Sequence, residues 1–433
     1  MNELAALIQS TPLMDTHEHM GTEQSFVEDG PDILQCLFSN YAQNDLITAG
    51  ASDAAVKHLM DKSDPDVRSR FAAVREAWDA MQFTGYGEGV RLVAQHVFGI
   101  HDLTANALEK AAPLALALHK PGERLRLLRD VAGLDHIQTD DFVLGVSPDA
   151  SGPDFFLFDI SWANWACGRV QAEEMRAETG IEVRDIATLR SAFEAVFEKY
   201  APAAVAVKSQ HAYERTLHWQ LRSDAEAEAV LVKRLRDDAV SEAEANCLGD
   251  WALGQAAELC AKHNLPLKIH TGYAAGNRFM QLDRMRALQL TPLLGQYPQT
   301  RFVLMHDSYP HDHEIAALAK HYPNVWVDMC WAWSIDPHSA AQFIRRMIHA
   351  VPANKLFAFG GDSFVPTISV GYAIQARAGL TRALQAEVDD GQLTERQAIS
   401  LARRFMQDNQ RACFDLEGTR AAIRAQLAVL NDH

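Results

Sequence analysis

The sequence predicts an α/β fold, namely a (β/α)8 barrel of the TIM type with a helical insertion after its first strand. Two observations lead to this prediction. Short apolar runs recur along the 433 residues, and most are followed by a stretch with helical periodicity. The runs are almost continuously apolar, which is typical of parallel strands that are buried on both faces. Such barrels often exceed about 200 residues as one domain, so the length is compatible with a single unit.

The predicted strands are eight segments of similar composition, rich in aliphatic and aromatic residues. They are LMDTH (13–17), HIQTDDF (136–142), FFLFDIS (155–161), AVAVK (204–208), PLKIHT (266–271), RFVLMH (301–306), VWVDM (325–329) and KLFAFGGD (355–362). Consecutive parallel strands need a crossover connection, which is usually a helix. A strand and a helix repeated eight times give the barrel.

Helices between the strands are indicated by apolar spacing and by capping residues. Before the fourth strand, one apolar stripe recurs at three- and four-residue spacing: Ile186, Leu189, Phe193, Val196, Phe197 and Tyr200. The segment DWALGQAAELCAKHNLP (250–266) has the same pattern and ends at Asn264 and Pro266. Thr394 and Gln397 have the spacing of a capping box ahead of ISLARRFM.

The long connection between the first and second strands reads as helical. It contains DAAVKHLM, DVRSRFAAVREAWDAM and ANALEKAAPLALALHK and has few strand signals. We interpret residues 21–133 as a helical insertion within a single barrel domain spanning 1–433. Because loops at the carboxyl ends of barrel strands build the active site, the insertion could form a lid over it. A separate helical domain without a role at the site is the alternative.

Composition and charge limit the partners. The chain has 40 Lys and Arg against 57 Asp and Glu, a net charge of −17, which repels nucleic acid and anionic lipid surfaces. We therefore expect a small-molecule substrate, no nucleic acid partner and no membrane partner, with a homo-oligomer possible. The sequence shows no secretory signal or long apolar run, and its six cysteines are scattered. We therefore expect a cytoplasmic protein with reduced thiols.

Polar residues stand where several predicted strands end. In LMDTHEHMGT (13–22) the two histidines are separated by one residue, so in a strand both imidazoles point to the same side. Burying polar groups at the edge of an apolar core is costly unless they are paired or bind a metal. Any one of them could be a satisfied core residue, but six at the carboxyl end of one barrel predict a metal site. The six are His17, His19, Lys208, His270, His306 and Asp362.

This ordered set resembles the amidohydrolase superfamily of metal-dependent hydrolases. HxH after strand 1, Lys after strand 4, His after strands 5 and 6 and Asp after strand 8 occur in order over essentially the whole chain. DNQRACFDL (408–416) is similar to the segment that closes many members. Three segments look closest to the branch holding uronate isomerase and the amidohydrolase-like domain fused to some glutamine synthetase-like proteins: VAVKSQHAYERTL (205–217), KIHTGY (268–273) and LMHDSYP (304–310).

The resemblance implies a divalent metal, most simply Zn²⁺, with Mn²⁺, Fe²⁺ or Ni²⁺ as alternatives. In a two-ion arrangement, the HxH pair and Asp362 would hold one ion and His270 and His306 a second, bridged by a carboxylated Lys208. In the one-ion arrangement of decarboxylases, His270 and Asp362 would join the HxH pair. His306 would then be free as an acid or base, and a cationic Lys208 would bind an anionic substrate.

The implied function is a metal-dependent hydrolase that uses a metal-activated water to cleave an amide, ester or lactone bond of a small carboxylate-bearing substrate, with Asp362 and His306 catalytic. A mononuclear decarboxylase or a uronate-isomerase-like enzyme of the same superfamily is the first alternative. A non-catalytic binding barrel is the second. The expected substrate-binding residues follow strands 4, 5 and 7: Tyr213, Arg215, Tyr273, Arg278, Trp331 and Trp333.

Further polar residues near strand ends are weaker candidates. Asp159 and Asp328 could orient a ligand, and alternation should turn Glu18 away from the metal. Three loop histidines could assist proton transfer: His211, His311 and His313.

Overall fold

The computed structural model describes residues 2–431 and contains one sheet of eight parallel strands in the order β1 to β8. The strands are β1 (Leu13–Glu18), β2 (Leu134–Thr139), β3 (Phe156–Ser161), β4 (Ala204–Ser209), β5 (Leu267–His270), β6 (Phe302–Met305), β7 (Val325–Asp328) and β8 (Leu356–Phe357). All eight overlap the predicted segments, with β1, β2 and β4 extending one or two residues beyond them, and nearly all their residues are buried. The predicted barrel is confirmed.

The barrel is closed by the segment that follows β8, which lies against β1. The Thr16 amide donates to the carbonyl of Phe359 (3.2 Å), and the Asp362 amide donates to the carbonyl of His17 (2.9 Å). Two residues after His17, the His19 amide donates to the carbonyl of Ser363 (2.9 Å). The closing contacts therefore bring the HxH pair of β1 next to the aspartate that follows β8.

Helices follow most strands on the outside of the barrel. Ile186–Tyr200 begins at a capping box made by Asp185 and Thr188, and Glu395–Arg403 begins at the predicted box of Thr394 and Gln397. The others after β3 to β8 are Ala163–Ala166, Ala172–Thr179, Asp224–Leu235, Glu242–Lys262, Thr291–Gln296, Asp312–His321, Ala332–Ile335, Pro337–Ala350, Pro366–Asp389, Asn409–Cys413 and Leu416–Asn431, and Glu3–Ser10 precedes β1. Short 3-10 and π-helical turns complete the set: His211–Tyr213, Leu282–Met285, Ala287–Leu290, His306–Ser308, Ala353–Lys355 and Arg404–Asp408.

Two predicted features differ from the structure. The connection from β2 to β3, residues 140–155 and described throughout, consists of bends and turns instead of a helix. The helix predicted within 250–266 is longer, because a capping box of Ser241 and Glu244 starts it at Glu242. It ends at Lys262, just before Asn264, whose φ of 58° is left-handed.

Residues 19–133 are helical for most of their length. The helices are Glu23–Asp29, Ile33–Phe38, Ala42–Thr48, Asp53–Met60, Val67–Ala72, Arg75–Met81, Gly85–Phe98, Ala105–Leu116 and Glu123–Leu125, followed by a π-helical turn, Arg126–Val131. Gly85–Phe98 packs on Pro366–Asp389, and a Cβ at Gly371 would lie 2.7 Å from the carbonyl oxygen of Gly89. This close backbone approach fixes the insertion against the helix after β8. Among the described helices, none is both long and apolar enough to span a bilayer.

Candidate metal centre

Three predicted ligands converge at the carboxyl end of the barrel. The Nε2 atoms of His17 and His19 are 3.2 Å apart, and each lies 3.3 Å from Oδ1 of Asp362. All three side chains are buried. Strand alternation aims the two imidazoles at one point, and the backbone bonds that close the barrel bring the carboxylate to the same point.

The loop that carries Asp362 is held by two acidic side chains of β1. Oδ1 of Asp15 accepts the amide of Gly361 (3.3 Å), and Oε2 of Glu18 accepts the amide of Ser363 (2.5 Å). Asp362 itself has a left-handed φ of 52°. The amides on both sides of this strained residue are therefore fixed, and a side chain at position 361 would collide with the Glu18 carboxylate.

Backbone carbonyls orient two of the imidazoles. Nδ1 of His19 lies 2.7 Å from the carbonyl oxygen of Asp140, and Nδ1 of His306 lies 2.9 Å from that of Cys330. With Nδ1–H donating, each Nε2 is left as an acceptor that faces the carboxylate. Nε2 of His306 is 4.0 Å from Oδ2 of Asp362 and has no hydrogen-bond partner among the described residues.

The electrostatics favour the ligand forms of these groups. Burial lowers the pKa of His17 well below its ordinary value and lowers the pKa of His306 to about 4. Burial alone would raise the pKa of Asp362, but hydrogen bonds with His17 and His19 outweigh it and hold that pKa well below the usual range. Neutral imidazoles and an ionised carboxylate are the forms that bind a divalent cation.

Lys208 and His270 lie beside this cluster in different ways. Nζ of Lys208 is 3.0 Å from Nε2 of His17, and burial lowers the pKa of its amine. The His270 ring centroid is 4.3 Å from that of His306, but Nε2 of His270 lies 2.8 Å from the carbonyl oxygen of Tyr273. Only Nδ1 of His270 is therefore left for a ligand.

The residues present fit a divalent metal. Ligand atoms of His17, His19 and Asp362 form one buried group, and those of His306, Cys330 and Asp362 form a second, all within 4.8 Å of one another in each group. The unpartnered Nε2 of His306 is a buried polar atom that an ion would satisfy. Nitrogen and oxygen donors of this kind suit Zn²⁺ and its neighbours in the first transition row.

A cavity of about 440 Å³ opens onto this cluster. His19 and Asp362 form part of its floor, and Tyr41 of the insertion donates its hydroxyl to the carbonyl of Asp362 (2.8 Å). Phe142 and Phe364 stack on the His19 ring, with centroids 4.6 and 4.9 Å away. The other lining residues are Ser161, Ala163, Asn164, Cys167, Arg169, Gln210, Tyr213, Glu214 and Ala275.

Comparison with known proteins agrees with this geometry. Residues 203–398, which include β4 to β8 but not the HxH pair, match the family described as Amidohydrolase. The predicted resemblance to amidohydrolases is confirmed. The matched region contains Lys208, His270, His306 and Asp362 of the candidate metal centre.

One curated relative covers part of this amidohydrolase-like chain. Protein fluG of Emericella nidulans is 29% identical over 226 residues, which are 50% of this chain and 26% of that protein. This chain therefore spans about a quarter of the relative's length.

Solved structures resemble the chain over nearly its whole length. Uronate isomerase from Thermotoga maritima has a TM-score of 0.80 at 17% identity, covering 96% of this chain and 98% of that one. Glucuronate isomerase from Caulobacter crescentus has a TM-score of 0.76 at 17% identity, covering 95% and 93%. A candidate metal-dependent hydrolase from Lactobacillus casei has a TM-score of 0.67 at 15% identity, covering 97% and 99%. At these identities the likeness shows the fold.

Three of the expected substrate-binding residues lie around the amidohydrolase-like site. Tyr213 lines the cavity, and its ring centroid is 4.7 Å from that of His270. Trp331 is buried between the insertion and the site, 4.1 Å from the Tyr41 ring and 5.5 Å from the His306 ring. Tyr273 packs on Trp331 at 5.7 Å, behind this wall.

The other three expected substrate-binding residues, Arg215, Trp333 and Arg278, do not line the cavity. Arg215 is buried in an ion pair with Asp250 (2.6 Å) and also donates to backbone carbonyls, so its guanidinium is not free for a substrate. Trp333 is buried, and its Nε1 donates to the carbonyl of Ala358 (2.8 Å). Arg278 is largely exposed and lies 3.5 Å from Asp53 of the insertion, so it bridges two surface segments.

The weaker candidates also separate into groups. Asp159 and Asp328 are buried inside the barrel, where Asp159 pairs with Lys268 and Asp328 accepts the amide of Cys330. His211 is buried against Ser209 (2.8 Å). His311 is partly buried and His313 is exposed, and neither lines the cavity.

The cavity residues that the sequence did not indicate include Phe142, Asn164, Arg169, Gln210 and Phe364. Each of these five follows the end of a strand by one to eight residues. The signal that could have found them is therefore the position after β2, β3, β4 and β8, whatever the residue type. Selection by residue type alone leaves out the phenylalanine and amide side chains that line this cavity.

Proposed function

We propose that the chain is a metal-dependent hydrolase that cleaves an amide, ester or lactone bond of a small carboxylate-bearing molecule. The observation that carries the proposal is the convergence of His17, His19 and Asp362 on the floor of a cavity at the carboxyl ends of the strands. Active sites of barrel enzymes lie at this face. A volume of about 440 Å³ suits a small substrate.

The metal would be held by His17, His19 and Asp362, with Lys208 and His306 close enough to extend the ligand set. When bound, a divalent ion such as Zn²⁺ supplies Lewis acidity toward a carbonyl and toward water. Both oxygens of Asp362 face nitrogen ligands, and its loop is fixed by Asp15 and Glu18. The Asp362 carboxylate is therefore placed to accept the proton of the attacking water and to return it to the leaving group.

The cavity wall supplies contacts for the substrate and limits access of bulk water. On one side, Arg169 pairs with Glu214 and donates to Oδ1 of Asn164 (3.2 Å), which leaves the Asn164 amide group as a donor for a carboxylate. Phe142 and Phe364 cover the His19 ring on the other side, and about half of each side chain remains exposed to contact an apolar part of the ligand. Tyr41 brings the insertion to the same site, which supports its role as a lid.

A mononuclear decarboxylase or uronate-isomerase-like activity is the second candidate. His17, His19 and Asp362 supply three ligands for one ion even without His270, whereas Nε2 of His270, an expected ligand of a second ion, is engaged by the Tyr273 carbonyl. Uronate isomerases are also among the proteins with the same fold. The two candidates differ in the bond that is broken and in the number of ions.

The test combines metal analysis with a substrate panel. The purified chain, loaded with Zn²⁺, is assayed on N-acyl amino acids, carboxylate-bearing esters and lactones, and in parallel on uronates and aromatic acids. We expect hydrolysis that is lost on chelation and restored by Zn²⁺, and that falls by about 1,000-fold or more in Asp362→Asn. Asp154→Asn, a change of the same chemistry at an exposed ion pair, is the matched control and should keep full activity.

Bound metal with turnover of uronates or aromatic acids alone would replace the hydrolase with the second candidate. Absence of a bound ion, or hydrolysis that survives both chelation and Asp362→Asn, would contradict the proposal.

A further inference from the structure

We propose that Cys330 supplies a sulfur ligand to a second metal position, which it forms with His306 and Asp362. The inference rests on the proposed function, since it adds an ion to that same site. A ring nitrogen of His306, Sγ of Cys330 and a carboxylate oxygen of Asp362 lie within 4.8 Å of one another, and His270 is not part of this group.

Asp362 is oriented to serve two positions at once. Its Oδ1 lies 3.3 Å from Nε2 of both His17 and His19, while its Oδ2 lies 4.0 Å from Nε2 of His306. The two oxygens thus face different nitrogen ligands. A carboxylate with one oxygen toward each of two ligand groups is suited to bridge two cations.

His306 provides the second, independent observation. Its ring is fully buried, and its Nε2 has no hydrogen-bond partner among the described residues. Its Nδ1 is held by the carbonyl of Cys330 (2.9 Å), and the Cys330 amide in turn donates to Oδ1 of Asp328 (2.9 Å). Cys330 therefore orients His306, and its sulfur lies within 4.8 Å of a ring nitrogen of that histidine.

The sulfur is not engaged elsewhere by a strong contact. Among the described residues, its hydrogen-bond contact is with the carbonyl oxygen of His17 at 4.0 Å, the limit for a sulfur contact. It is fully buried, and a Cβ at Gly360 would lie only 2.7 Å from it, so glycine at this position leaves the sulfur its space. His270, the alternative ligand, has its Nε2 on the Tyr273 carbonyl.

A sulfur ligand specifies the class of metal. Thiolate, imidazole and carboxylate together favour Zn²⁺, Co²⁺ or Cd²⁺ over Mg²⁺ and Ca²⁺. On binding, the thiol proton leaves to solvent and a metal–sulfur bond replaces the S–H bond, with no change of oxidation state. The second position should therefore be occupied by thiophilic ions and remain empty with Mg²⁺.

The experiment follows the sulfur directly. Chelator-treated full-length protein is titrated with Co²⁺, and the ligand-field and near-ultraviolet absorption are recorded with the number of bound ions. We expect the first equivalent to develop ligand-field bands only, and the second to add a thiolate-to-Co²⁺ charge-transfer band. Cys330→Ser and Cys330→Ala should lose this band and weaken the second equivalent by more than about 100-fold, because changes beyond the ligands alone cost about 10- to 100-fold.

Matched controls are Cys167→Ser at the cavity wall and Cys413→Ser in the barrel core, both of which should keep the band. A second ion without the band, a band that survives Cys330→Ser, or a protein that binds one ion alone would overturn the inference and leave the proposed function standing. If the protein binds no Co²⁺ or Zn²⁺, the proposed function fails as well.

Discussion

Two buried lysines on neighbouring strands have opposite surroundings. Lys208 of β4 and Lys268 of β5 are partners in the sheet register, and neither has any exposed surface. Nζ of Lys268 is surrounded by acceptors, with Asp159 at 2.6 Å, the Thr16 carbonyl at 2.8 Å and Gln138 at 3.0 Å. Lys268 is thus a fully partnered cation inside the barrel.

Lys208 has no such partner. Its Nζ lies 3.0 Å from Nε2 of His17, and within residues 2–431 no carboxylate is close enough to form an ion pair with it. Two lysines at the same depth therefore differ: Lys268 has a full set of acceptors, whereas Lys208 has none of the carboxylate partners that would neutralise it. The presence of hydrogen-bond and ion-pair partners, rather than burial, therefore distinguishes a structural polar group from a candidate functional one.

The strongest test of the comparison is to remove each amine in turn. Lys268→Met leaves Asp159 buried without its cation, and burial already raises the pKa of that carboxyl to about 6 despite Lys268. We expect the free energy of unfolding to fall by about 3–5 kcal/mol, as for other broken buried pairs. Lys208→Met removes an unpaired cation and should change it by less than about 1 kcal/mol. Urea unfolding of the two variants measures both values.

For activity, we expect the larger loss in Lys208→Met, the variant with the smaller loss of stability. Lys208→Met is expected to lower kcat/KM by about 100-fold or more, because the amine lies among the metal ligands, whereas folded Lys268→Met should retain the binding of the first ion. Equal losses of stability in the two variants, or full activity in Lys208→Met, would show that the contrast between the lysines has no functional meaning.

The barrel and most ligands were predictable because each depends on a local pattern. Continuous apolar runs locate the strands, and alternation within LMDTHEHM places His17 and His19 together. Asp362 and His306 could be selected as candidate ligands because polar residues that end apolar strands share one face. The roles of Arg215 and Trp333 were missed because their partners, Asp250 and the Ala358 carbonyl, are distant in sequence.

The positions of the Cys330 sulfur and of Phe142 and Phe364 could not be predicted from local sequence patterns either. Nothing in DMCWAWS marks a cysteine as a ligand, since its position depends on the loop after β7 meeting His306 and Asp362. Phe142 and Phe364 reach the His19 ring from β2 and β8, and only the closed barrel brings these loops together. Contacts across the barrel mouth are set by tertiary structure, which no local pattern records.

Glu18 of β1 is a buried acidic residue that supports the loop after β8, and its removal should have a smaller effect than that of the lysines. Glu18 accepts the Ser363 amide and the Ser369 hydroxyl (2.6 Å), and it does not contact the ligand cluster. We expect Glu18→Ala to weaken binding of the first metal ion by about 10- to 100-fold, because the loop that carries Asp362 loses its support. Metal affinity is measured by competition with a chelator of known affinity.

Glu18→Gln is the conservative control. Burial and the neighbouring Asp15 raise the pKa of Glu18 well above its ordinary value, so a neutral side chain is compatible with this position. The amide oxygen can still accept the Ser363 amide, and the metal affinity should return to within about threefold of the original chain. Equal loss in Gln and Ala variants would indicate a role for the negative charge itself instead of loop support.

The smallest expected effect concerns Asp135, which lies near the amino end of β2, at the opposite end of the barrel. There Asp135 bonds to His136 (2.9 Å) and Arg420 (2.8 Å), so its carboxylate is paired with a cation, unlike the Lys208 amine at the mouth. Burial alone would raise the pKa of Asp135, but these two partners outweigh it and hold the pKa well below its ordinary value. Burial also lowers the pKa of His136 from 6.5.

Both shifts act in the same direction with pH. The folded state binds fewer protons than the unfolded state below about pH 6.5 at His136 and below about pH 4 at Asp135, so stability falls as the pH is lowered. We expect Asp135→Asn to remove about 1–2 kcal/mol of the unfolding free energy at neutral pH and to flatten its decline below pH 4. Metal-free protein is used for both chains, because release of a bound ion at low pH would otherwise add to the slope. A decline below pH 4 as steep as that of the unmodified chain would show that the paired end of the barrel contributes no such linkage.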